Sequence, residues 1–173
     1  MIARAPSLRW RGIAVCLGLL TLNGCSGTAP DKDQIPERPS AVFEGLPLSG
    51  NKATALAAGF AGCLDATRGE RCRKDGVMIK GVGPLDAAID LDKQGADGTP
   101  RFDRVTLWHD SDQGAMLPLK GALLKEGWQS CLTSEDERYW KPPSPLRIAM
   151  DTSYWGKRRL VISAPPPDPK PYC

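Results

Sequence analysis

Hydrophobic and polar residues alternate along parts of the chain, and this alternation predicts β-strands. Within residues 85–91 every second residue is apolar and the others are Asp or Ala, which is the two-residue period of a half-buried strand. Residues 105–109 follow the same period, and turn residues fill 93–100 between the two segments. The pattern therefore predicts a β-hairpin, and residues 77–82 predict a short strand before it.

Two other segments have the spacing of helices. After Ser49 and Asn51, either of which can cap a helix, apolar residues recur at the i, i+3, i+4 spacing of one helical face. This spacing predicts a helix at 50–65. A second helix is predicted at about 117–126, and Gly127 is a natural C-terminal stop for it.

Four more strands are predicted after the second helix. They lie at 128–133, 138–141, 146–151 and 159–163, with a hairpin loop at Thr152–Lys157 before the last one. Strands grouped with two helices in this order favour an α+β fold with two layers: an antiparallel sheet of about five to seven strands and two helices packed on one face. In layout alone, this order resembles the small two-layer domains of outer-membrane assembly lipoproteins and of β-lactamase-inhibitor proteins.

The first 24 residues have the regions of an export signal. Arg4, Arg9 and Arg11 give a positive start without an acidic residue, and residues 12–22 are almost wholly apolar. The apolar run is shorter than the roughly 20 residues that a transmembrane helix needs. We therefore expect a cleaved secretory signal and an exported protein.

The end of this segment, Leu22-Asn23-Gly24-Cys25, resembles the lipobox of bacterial lipoproteins. In that family the Cys receives a diacylglyceryl thioether, a dedicated peptidase cuts before it, and the new N-terminus is acylated. The resemblance implies that residues 1–24 are removed and that Cys25 is the lipid anchor. Several acyl chains hold a protein firmly to a membrane. Ser26 after the Cys implies sorting to the outer membrane, with the protein facing the periplasm.

The segment after the anchor differs in composition from the rest of the mature chain. Residues 25–42 are polar and rich in Pro, which predicts a flexible tether. Residues 43–173 then predict a single domain with a Pro-rich C-terminal tail.

Cysteine usage predicts two disulfides. Of the six Cys, Cys16 lies in the signal and Cys25 is the lipid site, which leaves an even number in an oxidising compartment. Four Cys allow three pairings, and proximity in sequence favours Cys63 with Cys72 and therefore Cys131 with Cys173. A four-Cys metal site is the alternative, but it lacks the short Cys-x-x-Cys spacing of zinc knuckles.

Charge narrows the class of partner. The formal net charge of +3 arises from the three Arg residues of the signal, and the chain after the signal carries 20 Lys and Arg residues against 20 Asp and Glu residues. A neutral chain without basic runs is a poor ligand for nucleic acid. We therefore expect no nucleic-acid partner, a membrane contact through the lipid on Cys25, and a protein of the cell envelope as partner.

Candidate catalytic and metal-binding residues are few. His109 lies beside Asp110 and Ser111, but no Gly-x-Ser-x-Gly elbow is present, so a capping role is the expected one. A calcium loop starting at Asp90 would need Glu at its twelfth position, which is Arg101. The acidic run at 135–137 predicts a solvated turn. We predict no catalytic residue, no cofactor and no metal site.

Aromatic residues beside cations are the remaining candidates for function. Tyr139-Trp140 and Tyr154-Trp155 are each followed by Lys or Arg, a composition typical of interaction surfaces. Alternatively, these rings cover an open end of the sheet or stack under Arg.

The resulting hypothesis is a non-enzymatic, lipid-anchored envelope protein with a protein-binding or envelope-structure role. The alternative is an inhibitor or immunity-type lipoprotein against a periplasmic or cell-wall enzyme, with Thr152–Lys157 as the loop that enters a cleft. An enzyme would require His109 to meet a carboxylate in a pocket.

Overall fold

The computed structural model describes residues 34–151, 158–164 and 173, and about half of these lie in β-strands. The strands are β1 (Val42–Phe43), β2 (Leu46–Pro47), β3 (Gly50–Asn51), β4 (Ala61–Ala66), β5 (Gly69–Ile79), β6 (Val82–Leu91), β7 (Lys93–Gln94), β8 (Pro100–Phe102), β9 (Arg104–Trp108), β10 (Gln129–Leu132), β11 (Asp136–Trp140), β12 (Arg147–Asp151) and β13 (Arg159–Ser163). The helices of this described part are α1 (Lys52–Ala57) and α2 (Leu117–Lys125).

The predicted α+β class with five to seven strands is wrong, because the chain is mainly β. Eight strands form one antiparallel sheet in the order β10-β11-β12-β13-β9-β6-β5-β4. Two small sheets, β1-β2 and β3-β8-β7, lie beside it. The helices contribute only six and nine residues. Among the described residues, no helix has the length and apolar character that a membrane crossing requires.

One face of the large sheet carries the hydrophobic core. Buried and less buried residues alternate along β9, β12 and β13, so each strand sends one row of side chains into the core. Packed against this face are buried side chains from outside the large sheet: Phe43, Leu46, Leu48, Ala55, Phe60, Phe102, Met116, Leu119, Leu123 and Trp128. The N-terminal strands and both helices thus cover the same face.

The predicted helix at 50–65 ends early. Asn51 caps α1 as expected, since its side chain accepts a hydrogen bond from the Thr54 N–H. Gly59 then adopts a positive φ of 85°, and residues 61–66 form the edge strand β4 instead of further helical turns. Leu64, which the helical pattern placed on the apolar face, is 69% exposed.

A long hairpin replaces the short strand predicted at 77–82. β5 and β6 pair from Glu70 with Leu91 to Ile79 with Val82. Lys80 and Gly81 form the turn with φ values of 50° and 78°. Positive φ at both central residues is the backbone of a two-residue hairpin turn whose twist matches that of the strands.

The segment before β1 is attached to the domain, so the prediction that residues 25–42 form a flexible tether is wrong for residues 35–42. The Thr54 hydroxyl accepts a hydrogen bond from the Glu37 N–H (2.8 Å) and donates to the Glu37 carbonyl oxygen (2.9 Å). The Asn51 side chain donates to the carbonyl of Ile35 (2.8 Å). Arg101 adds an ion pair with Glu37. The domain therefore begins near Ile35.

Both disulfides join the cysteines that the sequence predicts. Cys63 pairs with Cys72, with Cα atoms 3.9 Å apart, and connects edge strand β4 to β5. Cys131 pairs with Cys173, with Cα atoms 6.3 Å apart, and attaches the last residue of the chain to edge strand β10.

Candidate functional site on the open face of the sheet

The face of the large sheet opposite the core is the open face, on which no described segment outside the sheet contributes to a second core. Its side chains come from alternate positions of the strands, because successive residues of a strand point to opposite faces. Arg73 on β5, Ala88 on β6, Thr106 on β9 and Val161 on β13 are cross-strand neighbours in one row. Ala149 on β12 continues the row beyond Val161.

A groove of about 480 Å³ follows the first part of this row, and we call it the basic groove. Its floor is formed by the short side chains of Ala88, Thr106 and Val161. Longer side chains stand around them. Five of these are arginines: Arg68, Arg71, Arg73, Arg104 and Arg159. Three are aspartates: Asp90, Asp92 and Asp110. The lining therefore has an excess of positive charge.

Two of the five arginines are paired with carboxylates. Arg71 donates from both Nε and an Nη to the two oxygens of Asp90 (2.6 and 2.8 Å), and hydrogen bonding to Asp90 raises the pKa of Arg71. This two-point geometry fixes the planes of both groups. Arg104 bonds to Asp103 at 2.9 Å. The open face thus holds part of its charge in internal pairs.

The other three arginines have no ion pair with a described carboxylate. Arg68 and Arg159 are exposed at the rim of the basic groove. The guanidinium carbon of Arg73 lies 5.8 Å from the ring centroid of Trp108, within the range of a cation–π contact. The Trp108 ring is held in turn by a hydrogen bond from Nε1 to Asp110 (3.0 Å). No described carboxylate therefore neutralises the charge of these three arginines.

A second cavity, of about 530 Å³, continues the row at its other end. It shares Val161 and Arg159 with the basic groove, but its other charged residues are Glu135, Asp136 and Asp151. Asp136 accepts hydrogen bonds from Arg138 and Thr133. The lining of the open face is therefore mainly basic in the first cavity and mainly acidic in the second.

The candidate catalytic and calcium-binding residues have structural contacts. His109 Nδ1 accepts hydrogen bonds from the backbone N–H groups of Ser111 (3.3 Å) and Asp112 (2.9 Å), which orders the chain before α2. Asp90 is the partner of Arg71. The solvated turn predicted at 135–137 is wrong for Glu137, which lies in β11 with its side chain 12% exposed and forms an ion pair with Lys120 of α2 at 2.9 Å.

The aromatic candidates do not form a shared surface among the described residues. Tyr139 is 0% exposed, so it cannot contact a partner, and its inclusion among the partner-binding residues is wrong. It points into the core because β11 alternates and Tyr139 pairs with the core residue Ile148. Trp140, the next residue, is half-buried. Tyr154 and Trp155 lie outside the described residues.

The arginines of the basic groove were not predicted from the sequence. A signal was present at alternate positions: Arg71 and Arg73 on one strand, and Arg104, Thr106 and Trp108 on another. Nothing local showed that these strands are close together, because β5 and β9 are joined only through β6.

The candidate site is therefore an open groove on a sheet, lined by cations that come from three strands and a turn. No family model, curated protein or solved structure matches the chain.

Proposed function

We propose that this chain is a lipid-anchored protein of the bacterial cell envelope and that its domain is a non-enzymatic binding module for an envelope protein. The anchor follows from the lipobox resemblance around Cys25. With Ser26 after it, the outer membrane is the site of anchoring and the domain faces the periplasm. Two disulfides suit such an oxidising compartment.

The open face is the observation that supports binding. A sheet face against which no other segment packs normally meets solvent or a partner, and no described segment outside the sheet packs against this one. Here the face has a groove with a floor of short side chains and a rim that includes three arginines without ion pairs to described carboxylates. Arg and Trp are also the residues that contribute most to protein interfaces.

The contacts of the polar residues support a binding role over catalysis. A general base needs a nitrogen or oxygen free to accept a proton from a substrate. The Nδ1 atom of His109 is engaged by two backbone N–H groups, and Asp90 by a two-point arginine contact. The charge balance of the mature chain favours a protein partner over nucleic acid.

Site-specific crosslinking tests the binding face. A photoreactive leucine analogue at Leu64, which lies beside Arg71 on the open face and is 69% exposed, reports on that face. The matched control is Leu124 of α2, which is 43% exposed on the other side of the domain. We expect a protein adduct of one discrete mass from Leu64, reduced by the Arg73→Gln and Arg159→Gln double variant. An adduct from Leu124 alone would overturn the proposal.

The anchor is tested separately in cells of a bacterium that processes lipoproteins. Cys25→Ala should abolish labelling with a radioactive fatty acid and leave the signal uncleaved by the lipoprotein peptidase. Cys63→Ala is the control, because it removes a Cys without changing the lipobox. Lipid labelling of the Cys25→Ala variant would show that the anchor lies elsewhere.

A further inference from the structure

The charge and shape of the basic groove identify the chemistry of the partner, and this inference rests on the proposed function. We propose that the basic groove binds an extended acidic segment of the partner protein, with carboxylates held by Arg73 and Arg159. The segment crosses the strands of the sheet instead of adding a strand to its edge.

Charge complementarity is the first argument. Arg68, Arg73 and Arg159 have no ion pair with a described carboxylate, and the guanidinium group presents a planar fork of N–H donors that matches a carboxylate. Among the three aspartates of the lining, Asp90 is already neutralised by Arg71. An acidic side chain that enters the groove therefore meets cations that no described carboxylate occupies.

The length of the groove favours a peptide segment. Adjacent strands lie about 4.8 Å apart, so the row from Arg73 through Ala88 and Thr106 to Val161 spans about 14 Å. An extended chain advances about 3.3 Å per residue, so four to five residues fill this distance. The short floor residues leave room for a backbone between the arginine side chains.

The contact between Arg73 and Trp108 orients the guanidinium of Arg73 before a ligand binds. A long side chain loses rotamer freedom when it binds a ligand, and this loss opposes binding. The cation–π contact restricts Arg73 before the ligand arrives, and the Asp110 hydrogen bond restricts Trp108. The guanidinium consequently loses less entropy when a carboxylate binds to it.

Separate carboxylates suit the groove better than phosphates or an anionic membrane. Asp92 stands in the same lining as the arginines, and its carboxylate repels a ligand with dense negative charge. Carboxylates four residues apart in an extended peptide lie about 13 Å from each other, which matches the separation of the strands that carry Arg73 and Arg159. The mixed lining therefore selects for spaced single charges.

A fluorescence polarisation assay tests the proposal with the mature, lipidated chain in non-ionic detergent. The probe is a labelled hexapeptide of alternating Glu and Ser, and the matched control peptide has Gln in place of Glu. The test variant is Arg73→Gln with Arg159→Gln. The control variant, Arg38→Gln with Lys125→Gln, removes two exposed cations outside the open face and gives the same net charge.

We expect the Glu peptide to bind, the Gln peptide to bind much more weakly, and added salt to weaken the complex. The test variant should lose affinity by about tenfold or more, because each lost charged hydrogen bond is worth about that factor. The control variant should stay within about twofold. Equal losses in the two variants would overturn the proposal, because the effect would then be one of net charge.

Two other outcomes would also overturn it and still leave the proposed function distinguishable. If the Glu peptide does not bind while the Leu64 adduct still forms, the open face binds a protein but not through acidic residues. If inorganic phosphate or phosphatidylglycerol vesicles displace the probe more effectively than free Glu peptide does, the groove is a phosphate or lipid site. If the Leu64 adduct does not form and the peptide does not bind either, the proposed binding of a protein to the open face is itself rejected.

Discussion

Arg73 places its guanidinium carbon 5.8 Å from the ring centroid of Trp108, although β6 separates the strands that carry these two residues. Both side chains line the basic groove, and the indole N–H of Trp108 bonds to Asp110. The pair thus links the positive charge of β5 to a fixed ring on β9. A carboxylate in this position would neutralise the cation. The ring orients the cation and leaves its charge in place.

The first prediction concerns this ring. Trp108→Leu should weaken binding of the acidic hexapeptide by about twofold to fivefold, because an exposed cation–π contact is worth about 0.5–1 kcal/mol. Trp108→Phe keeps a ring face and should retain more of the affinity. Polarisation titrations of the two variants measure the difference. Leu and Phe variants with equal affinity would show that Arg73 does not depend on the ring.

The second prediction concerns Tyr139 and alkaline pH. Burial raises the pKa of the Tyr139 phenol above its ordinary value of 10.0, and the charge of Glu137 raises it further. The pKa of Tyr139 is higher in the folded state than in the unfolded state. The contribution of its neutral phenol to the free energy of unfolding is therefore fully present below about pH 10. Above that pH the contribution falls by up to about 1.4 kcal/mol per pH unit.

Tyr139→Phe should remove this part of the alkaline loss. At neutral pH the variant should differ from the native protein by no more than about 1 kcal/mol, since the buried hydroxyl makes no hydrogen bond of normal geometry with a described residue. Urea unfolding at about pH 7 and about pH 11 measures both effects. An alkaline loss of the same size in the two proteins would contradict the assignment to Tyr139.

Strands with a clear two-residue period could be predicted from the sequence. β6, β9, β12 and β13 alternate between core and open face, and their predicted bounds lie within a few residues of the structure. The first half of β5 lacks this signal, because Cys72 is the only apolar residue between Gly69 and Gly76. Register shifts near Val77 then interrupt the period of the second half. Because charged residues flank Cys72 on both sides, β5 could not be recognised from the sequence as a strand of the hairpin.

The helical pattern before β4 shows why the fold class was wrong. Leu56 and Leu64 have helical spacing, but both are at least half exposed, at 50% and 69%. Spacing alone cannot distinguish a longer helix from a helix that stops at Gly59 and continues as an edge strand. The basic groove was harder still to predict, since its floor depends on the cross-strand register of Ala88, Thr106 and Val161.

The third prediction concerns the attachment of the N-terminal segment. Thr54→Val keeps the shape of the side chain but removes the hydroxyl that bonds to the N–H and the carbonyl of Glu37. The loss should destabilise the contact by about 1–3 kcal/mol, because both backbone groups are partly buried. A glutamate-specific endopeptidase should then cleave after Glu37 faster than in the native protein.

A matched variant separates this effect from general instability. Thr67 lies in the exposed turn between β4 and β5, so Thr67→Val should leave cleavage after Glu37 unchanged. Peptide mass mapping over a time course identifies the cleavage site. If Thr54→Val and native protein are cut after Glu37 at the same rate, the Thr54 contacts do not hold the segment.

The fourth prediction concerns the order in which the disulfides are reduced. Thiol–disulfide exchange depends on access to a sulfur, and Cys72 is 0% exposed whereas Cys173 is exposed. Mild reductant under native conditions should therefore open Cys131–Cys173 first. Thiol alkylation followed by peptide mass mapping detects the order, and in urea, where access is equal, the preference should disappear.

Opening the Cys131–Cys173 bond should also lower the free energy of unfolding by more than opening Cys63–Cys72 would. The Cys131–Cys173 bond closes a loop with a sequence separation of 42, against 9 for Cys63–Cys72. Loop-closure entropy then assigns about 4 kcal/mol to the longer loop and about 2.5 kcal/mol to the shorter one. Urea unfolding of the selectively reduced and alkylated protein should show the larger loss. Earlier labelling of Cys63 and Cys72 would contradict the order, because the more buried of the two disulfides would then exchange first.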